Sequence, residues 1–175
     1  MFVFFIFDIE IFEKMPLLSI FISLITLFPF NVISEENSVI TFDKKNYYTI
    51  FASNDLNSIN AEIKLLASNS GKSAYEGALM MKRAGIIGNP KERLSLFKEG
   101  KTKLEAAIKS NPNTIEFLFL RYMIQENAPG FLGYNSNLED DKKKFILNYN
   151  SFETAVKEAI QNYSKTSKSL SSIQF

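Results

Sequence analysis

Beyond about residue 43, apolar positions recur with the 3.6-residue period of α-helices, in segments cut by Gly, Pro and Asn. Leu56, Ile59, Ile63 and Leu66 predict a helix over 55–68, with Asn54 as N-cap and Asp55 in its first turn. Ala74, Tyr75, Ala78, Leu79 and Met81 or Lys82 predict another over 72–86. Its small residues Ala74, Gly77 and Ala78 invite the close approach of a neighbouring helix. Gly88-Asn89 stops it, and Pro90 opens a helix over 90–110, where its missing N–H costs nothing. Leu94, Phe97, Lys101, Leu104 and Ile108 form its stripe, with the Lys101 stem covering apolar surface. Asn111-Pro112-Asn113 makes a tight turn. The next helix, 114–127, is apolar nearly all round and should be central. Leu94, Phe97, Leu104, Ile108, Leu118 and Tyr122 are the expected core.

The connection Phe131-Leu132-Gly133-Tyr134-Asn135-Ser136 is aromatic and is expected to pack back on the bundle. Asn137 should cap the following helix, with Glu139 and Asp140 in its first turn. Phe145, Tyr149, Phe152, Val156, Ala159 and Tyr163 fit either one helix to about residue 165 or two broken near Asn150-Ser151. A fraying tail follows from Ser164. Residues 44–52 have strand propensity in Tyr47-Tyr48-Thr49-Ile50-Phe51. No second strand exists to pair with them, so a short helix after Asp43 is expected. The fold class is all-α: six or seven antiparallel helices stacked as αα-hairpins in one domain over 35–175.

The first thirty-four residues read differently. An apolar stretch over 17–33 ends in Val32-Ile33-Ser34 before Glu35-Glu36, which fits a secretory signal peptide cleaved after Ser34. Its length is at the lower limit of the ~17–25 residues that span a bilayer. A retained membrane anchor or a buried core element are the alternatives. Residues 1–13 carry three acids and no base, unlike the basic start of a signal peptide. Met15 is therefore expected as the true start, with 1–14 an over-extended reading frame. The expected location is periplasmic or extracellular, or membrane-anchored through 17–33.

Composition removes several chemistries. The 175 residues include no Cys and no His, which excludes thiolate nucleophiles, cysteine-held zinc and the commonest general base. No cofactor site or metal site is predicted. A net charge of +1 gives no attraction for nucleic acid. Phe, Ile, Lys, Asn and Tyr, all with AT-rich codons, make 76 of the 175 residues, so Asn and Lys clusters count for little as sites. Ser70-Gly71-Lys72-Ser73 looks like the tail of a phosphate loop, but Leu66 stands where that loop needs glycine.

Leu104-Glu105-Ala106-Ala107-Ile108-Lys109-Ser110-Asn111-Pro112 resembles the end of a tetratricopeptide repeat, with Ala107 and Pro112 at its small-residue and proline positions. Gly88 and Leu104 fall at its glycine and large-apolar positions. Ala84 replaces the aromatic start, and Asn89-Pro90 cuts the first helix, so the unit is degenerate and covers roughly 90–127. The phrases 74–85 and 121–134 also resemble small exported bacterial helical proteins of unassigned function. These resemblances imply an exported helical-repeat module that binds a protein or peptide.

Arg121, Gln125 and Glu126, with Phe131 and Tyr134 in the following loop, are the candidate partner-binding residues. Arg121 and Gln125 share a helix face. The competing reading makes Arg121 half of a buried ion pair with Glu105 or Glu99, fixing helix register. Glu139-Asp140-Asp141 reads as an acidic first turn and solvated face. The alternative function is a carboxylate-based hydrolase of cell-wall or sugar polymers. No two acids are placed by the sequence in a catalytic setting, so the expectation is a non-catalytic module.

Overall fold

Asp43 opens the helical region by accepting the Asn46 N–H, which caps α1, Lys44–Ala52. The computed structural model describes residues 42–175, and the expected signal peptide or anchor over 1–34 lies outside them. Strand propensity in α1 loses to burial: Tyr47, Tyr48 and Phe51 fall on one helical face and face the core.

The cap of α2, Leu56–Ala67, is Asp55 and not Asn54. The Asp55 carboxylate accepts the N–H groups of both Asn57 and Ser58, and its full charge suits the helix N-terminus. Asn54 instead accepts from Lys82 at 3.1 Å. A single 3-10 turn, Ser70–Lys72, leads into α3, Ser73–Ile86. No strand precedes that turn among the described residues, and Lys72 lies over the Phe42 ring.

Asn89 caps α4, Pro90–Ser110, by accepting the Lys91 and Glu92 N–H groups. Its principal neighbour is α3. Gly77 and Gly100 meet where the two cross. A Cβ on either would lie 2.5 Å from the other's carbonyl oxygen, so only paired glycines allow this backbone-to-backbone contact. The crossing also corrects the predicted stripe. The buried face runs Phe97, Gly100, Leu104, Ala107, while Leu94 is 45% exposed and Ile108 half-buried. A search for apolar residues passes over Gly100 and so rotates the stripe toward Leu94.

α5, Ile115–Asn127, is buried at every residue from Glu116 to Gln125, as its uniform apolarity predicts. It packs on α3 and on α6, Leu138–Leu147. Asn137 occupies the N-cap position of α6, but its side chain makes no capping bond. A 3-10 turn at Tyr149–Ser151 separates α6 from α7, Thr154–Ser164, so the long stripe is two helices. α7 returns to pack on α1, and Lys44 bridges Glu116 and Glu153 there. Seven α-helices and no strand make up the described residues.

The loop after α5 packs back as expected through Leu132 and the buried Tyr134, but Phe131 is 87% exposed. One expectation, for the tail, is overturned. The tail does not fray from Ser164: Ser167 and Leu170 are buried, and Phe175 stacks on Tyr149. Hydrogen bonds to Glu126 and burial of Leu170 hold it.

Candidate functional site

The five candidate residues separate into four environments. Arg121 belongs to a closed ion network. Its Nε and Nη2 donate to the two oxygens of Asp141 at 2.7 and 2.8 Å, and its Nη1 donates to Glu105 at 2.8 Å. The bidentate fork gives the pair a fixed geometry. The Tyr134 hydroxyl donates to the second oxygen of Glu105 at 2.5 Å. Burial opposes the charge on Arg121, but Asp141 and Glu105 outweigh it and raise its pKa. Burial and the Glu105 carboxylate likewise raise the Tyr134 phenol. Phe97 meets the Tyr134 ring edge-on, and the Lys101 ammonium lies over that ring at 5.0 Å.

Glu105 is therefore the expected partner, and Asp141 is an unexpected second one. The reading of 139–141 as a solvated face fails at Asp141, which is 1% exposed. A sequence signal for it exists. Leu138, Asp141 and Phe145 step by three and four, so Asp141 shares the inward stripe of α6.

Glu126 faces elsewhere. It accepts from Tyr122, Tyr163, the Ser167 hydroxyl, and both the N–H and the hydroxyl of Ser169. Partial burial works against its charge, yet these donors prevail and lower its pKa. This carboxylate is the anchor of the C-terminal tail. Gln125 is buried, and its Oε1 has no hydrogen-bond partner among the described residues. Of the five, Phe131 alone presents a large apolar surface outward.

Phe131 stands on the rim of a groove of about 1040 Å³. Residues from α1, α3, α4, α5, α7 and the loop after α5 line it. Its floor is buried and apolar, with Phe51, Met81, Phe97, Met123 and Ile124. Its rim includes the exposed Leu94 and Phe131. The loop after α5, a candidate binding region from the sequence, lines this groove with Ala128, Pro129, Phe131 and Leu132, but its apolar walls are not legible there because they come from five helices. Leu94, expected from the sequence in the core, belongs to its rim.

The ionisable lining residues with charge are Lys45, Lys82, Arg93 and Glu158. Lys45 pairs with Glu158 at 3.2 Å. Among the described residues Glu158 is the one carboxylate in the lining, so they place no facing acid pair of the kind that hydrolyses glycosides there. Several carboxylates outside the groove are engaged: Glu116 with Lys44 and Tyr48, Glu76 with Lys103, Glu105 and Asp141 with Arg121. Glu62 is also buried but has no hydrogen-bond or ion-pair partner among the described residues, and burial with the nearby Asp43 charge raises its pKa. Among the described residues no cluster of three or more acids is placed to hold a metal ion. None of their helices is long and apolar enough to cross a membrane.

No family model, curated protein or solved structure matches this chain.

Proposed function

We propose that this protein is a non-catalytic, exported helical module that binds a protein or peptide partner in the groove between α1, α3, α4, α5 and α7. The supporting observation is the apolar floor of that groove, open to solvent and extended outward by Leu94 and Phe131. Exposed large apolar groups beside a concave apolar surface are the mark of an interaction site. Engagement of Arg121 by Glu105 and Asp141 supports a structural role for it, which shifts the binding assignment from Arg121 to Phe131. The lack of paired free carboxylates in the groove lining weighs against the hydrolase alternative. The tetratricopeptide-like unit over 90–127 stays within this reading. Leu104 and Ala107, at its large-apolar and small-residue positions, are both buried, and Pro112 lies in the turn after α4.

The test combines purification of the native protein with its co-purifying partner and a rim variant, Leu94→Asp with Phe131→Asp. The variant should keep the wild-type melting temperature and lose the partner. Retention of the partner would reject the groove. Export is tested separately, by mass spectrometry of the mature N-terminus: Glu35 or a neighbour is expected, and intact Met1 or Met15 on cytosolic protein would reject it.

A further inference from the structure

The groove is apolar in its depth and unbalanced in charge at one end. Lys45 and Glu158 neutralise each other, which leaves Lys82 and Arg93. Lys82 donates to the neutral Asn54 side chain, and neither it nor Arg93 has a carboxylate partner among the described residues. Arg93 uses only its Nε, which donates to the Ala84 carbonyl at 3.0 Å, so its terminal nitrogens remain available. Both cations therefore gather at the C-terminal turns of α3: Lys82 belongs to that helix, and Arg93 is tied to it through Ala84. Arg93 also lies in the first turn of α4, whose positive dipole end offsets the negative end of α3 beside it, so the side-chain charges decide the local sign. Burial lowers the Lys82 pKa, the direction expected for a partly desolvated cation without a counter-charge.

Resting on the binding function proposed above, we infer that the occupant of the groove is an amphipathic α-helix whose apolar face lies on the floor and whose flank carries acidic residues that meet Lys82 and Arg93. The open, exposed rim favours a half-sunk helix over an enclosed compact ligand. Sites for small molecules reach about 1,000 Å³ and enclose most of the ligand. This one is at that limit and is open along a rim of Leu94, Arg93, Asn162 and Phe131, all exposed. A helix roughly 10 Å across can lie half-sunk in such an open groove. It leaves its polar side in water, which is how helix-in-groove recognition works. Met81 and Met123 on the floor adapt to the side chains laid on them. The carboxylates of the guest replace the counter-charge that Lys82 and Arg93 lack, and they set its direction in the groove.

The experiment uses the full chain and two fluorescein-labelled 18-residue helical peptides with the same leucine face, one with a glutamate flank and one with a lysine flank. Fluorescence anisotropy should show the acidic peptide binding at least tenfold more tightly, with affinity falling as salt rises. Lys82→Glu with Arg93→Glu should invert the preference. Lys82→Gln with Arg93→Gln should abolish it, and far-UV circular dichroism checks that each variant is folded. Equal binding of both peptides, lost in Leu94→Asp with Phe131→Asp, would overturn the acidic-flank inference and leave the groove function standing. Displacement of a dansyl-labelled long-chain fatty acid by oleate, with no peptide bound, would overturn it in favour of a carboxylate amphiphile. Binding of neither probe would overturn both readings.

Discussion

At the scale of single residues, the buried charge of Arg121 has the largest consequences. Its guanidinium neutralises Asp141, which has almost no contact with water, so Arg121→Met strands that carboxylate. Removing one partner of a buried pair costs about 3–5 kcal/mol, and urea unfolding of the variant should show a loss of that size. A melting temperature equal to the wild type's would exclude the structural role. The Arg121–Glu105 half of this network is legible in the sequence, because a cation on an all-apolar helix must find an acid on a neighbour. The Asp141 half is hidden by the adjacent Glu139 and Asp140, which make the segment look uniformly solvated. Glu126 gives a pH-dependent test. Its pKa is lowered in the folded protein, so the bonds to Ser167 and Ser169 stabilise fully above the unfolded carboxylate value of about 4.3 and are lost as pH falls through the folded one. Hydrogen exchange at Ser169 and Leu170, corrected for intrinsic rates, should therefore accelerate at low pH. Glu126→Gln should remove that step.

At the scale of elements, the α3–α4 crossing depends on two atoms that are not there. A methyl group on Gly100 would press on the Gly77 carbonyl oxygen and on the Met80 and Met81 side chains, and backbone cannot yield as a side chain does. Gly100→Ala should cost about 1–3 kcal/mol, the usual range for overpacking. Gly85, also within α3, has nothing within 4 Å of the same position and no positive φ. Gly85→Ala should therefore gain about 0.5–1 kcal/mol, and the opposite signs, read by thermal unfolding, isolate the crossing as the cause. Most helix boundaries follow from Asn89, Pro90, Asn111-Pro112 and Gly130, whose backbone preferences act locally. The facing of α4 does not, because it depends on which neighbour its glycine meets. Gly77 announces a close approach from one side; Gly100 looks like an interruption until the partner is known.

At the scale of the whole described region, the all-helical class follows from periodicity alone, and the groove does not, because each of its walls is an ordinary helix surface until five of them meet. The pairing of α1 with α7 is of the same kind. It joins the two ends of the described region, with Lys44 held between Glu116 and Glu153. Most other contacts link helices close in sequence, such as α3 with α4 and α5 with α6, and these can form early with little loop entropy. Closing the long loop between α1 and α7 comes after them. The ion bridge at Lys44 then belongs to the downhill side of the folding barrier. In stopped-flow measurements Lys44→Met should hasten unfolding while refolding keeps its wild-type rate, a φ-value near zero. The contact between the first and last helices thus governs how long the folded chain lasts, and has little part in how quickly it forms.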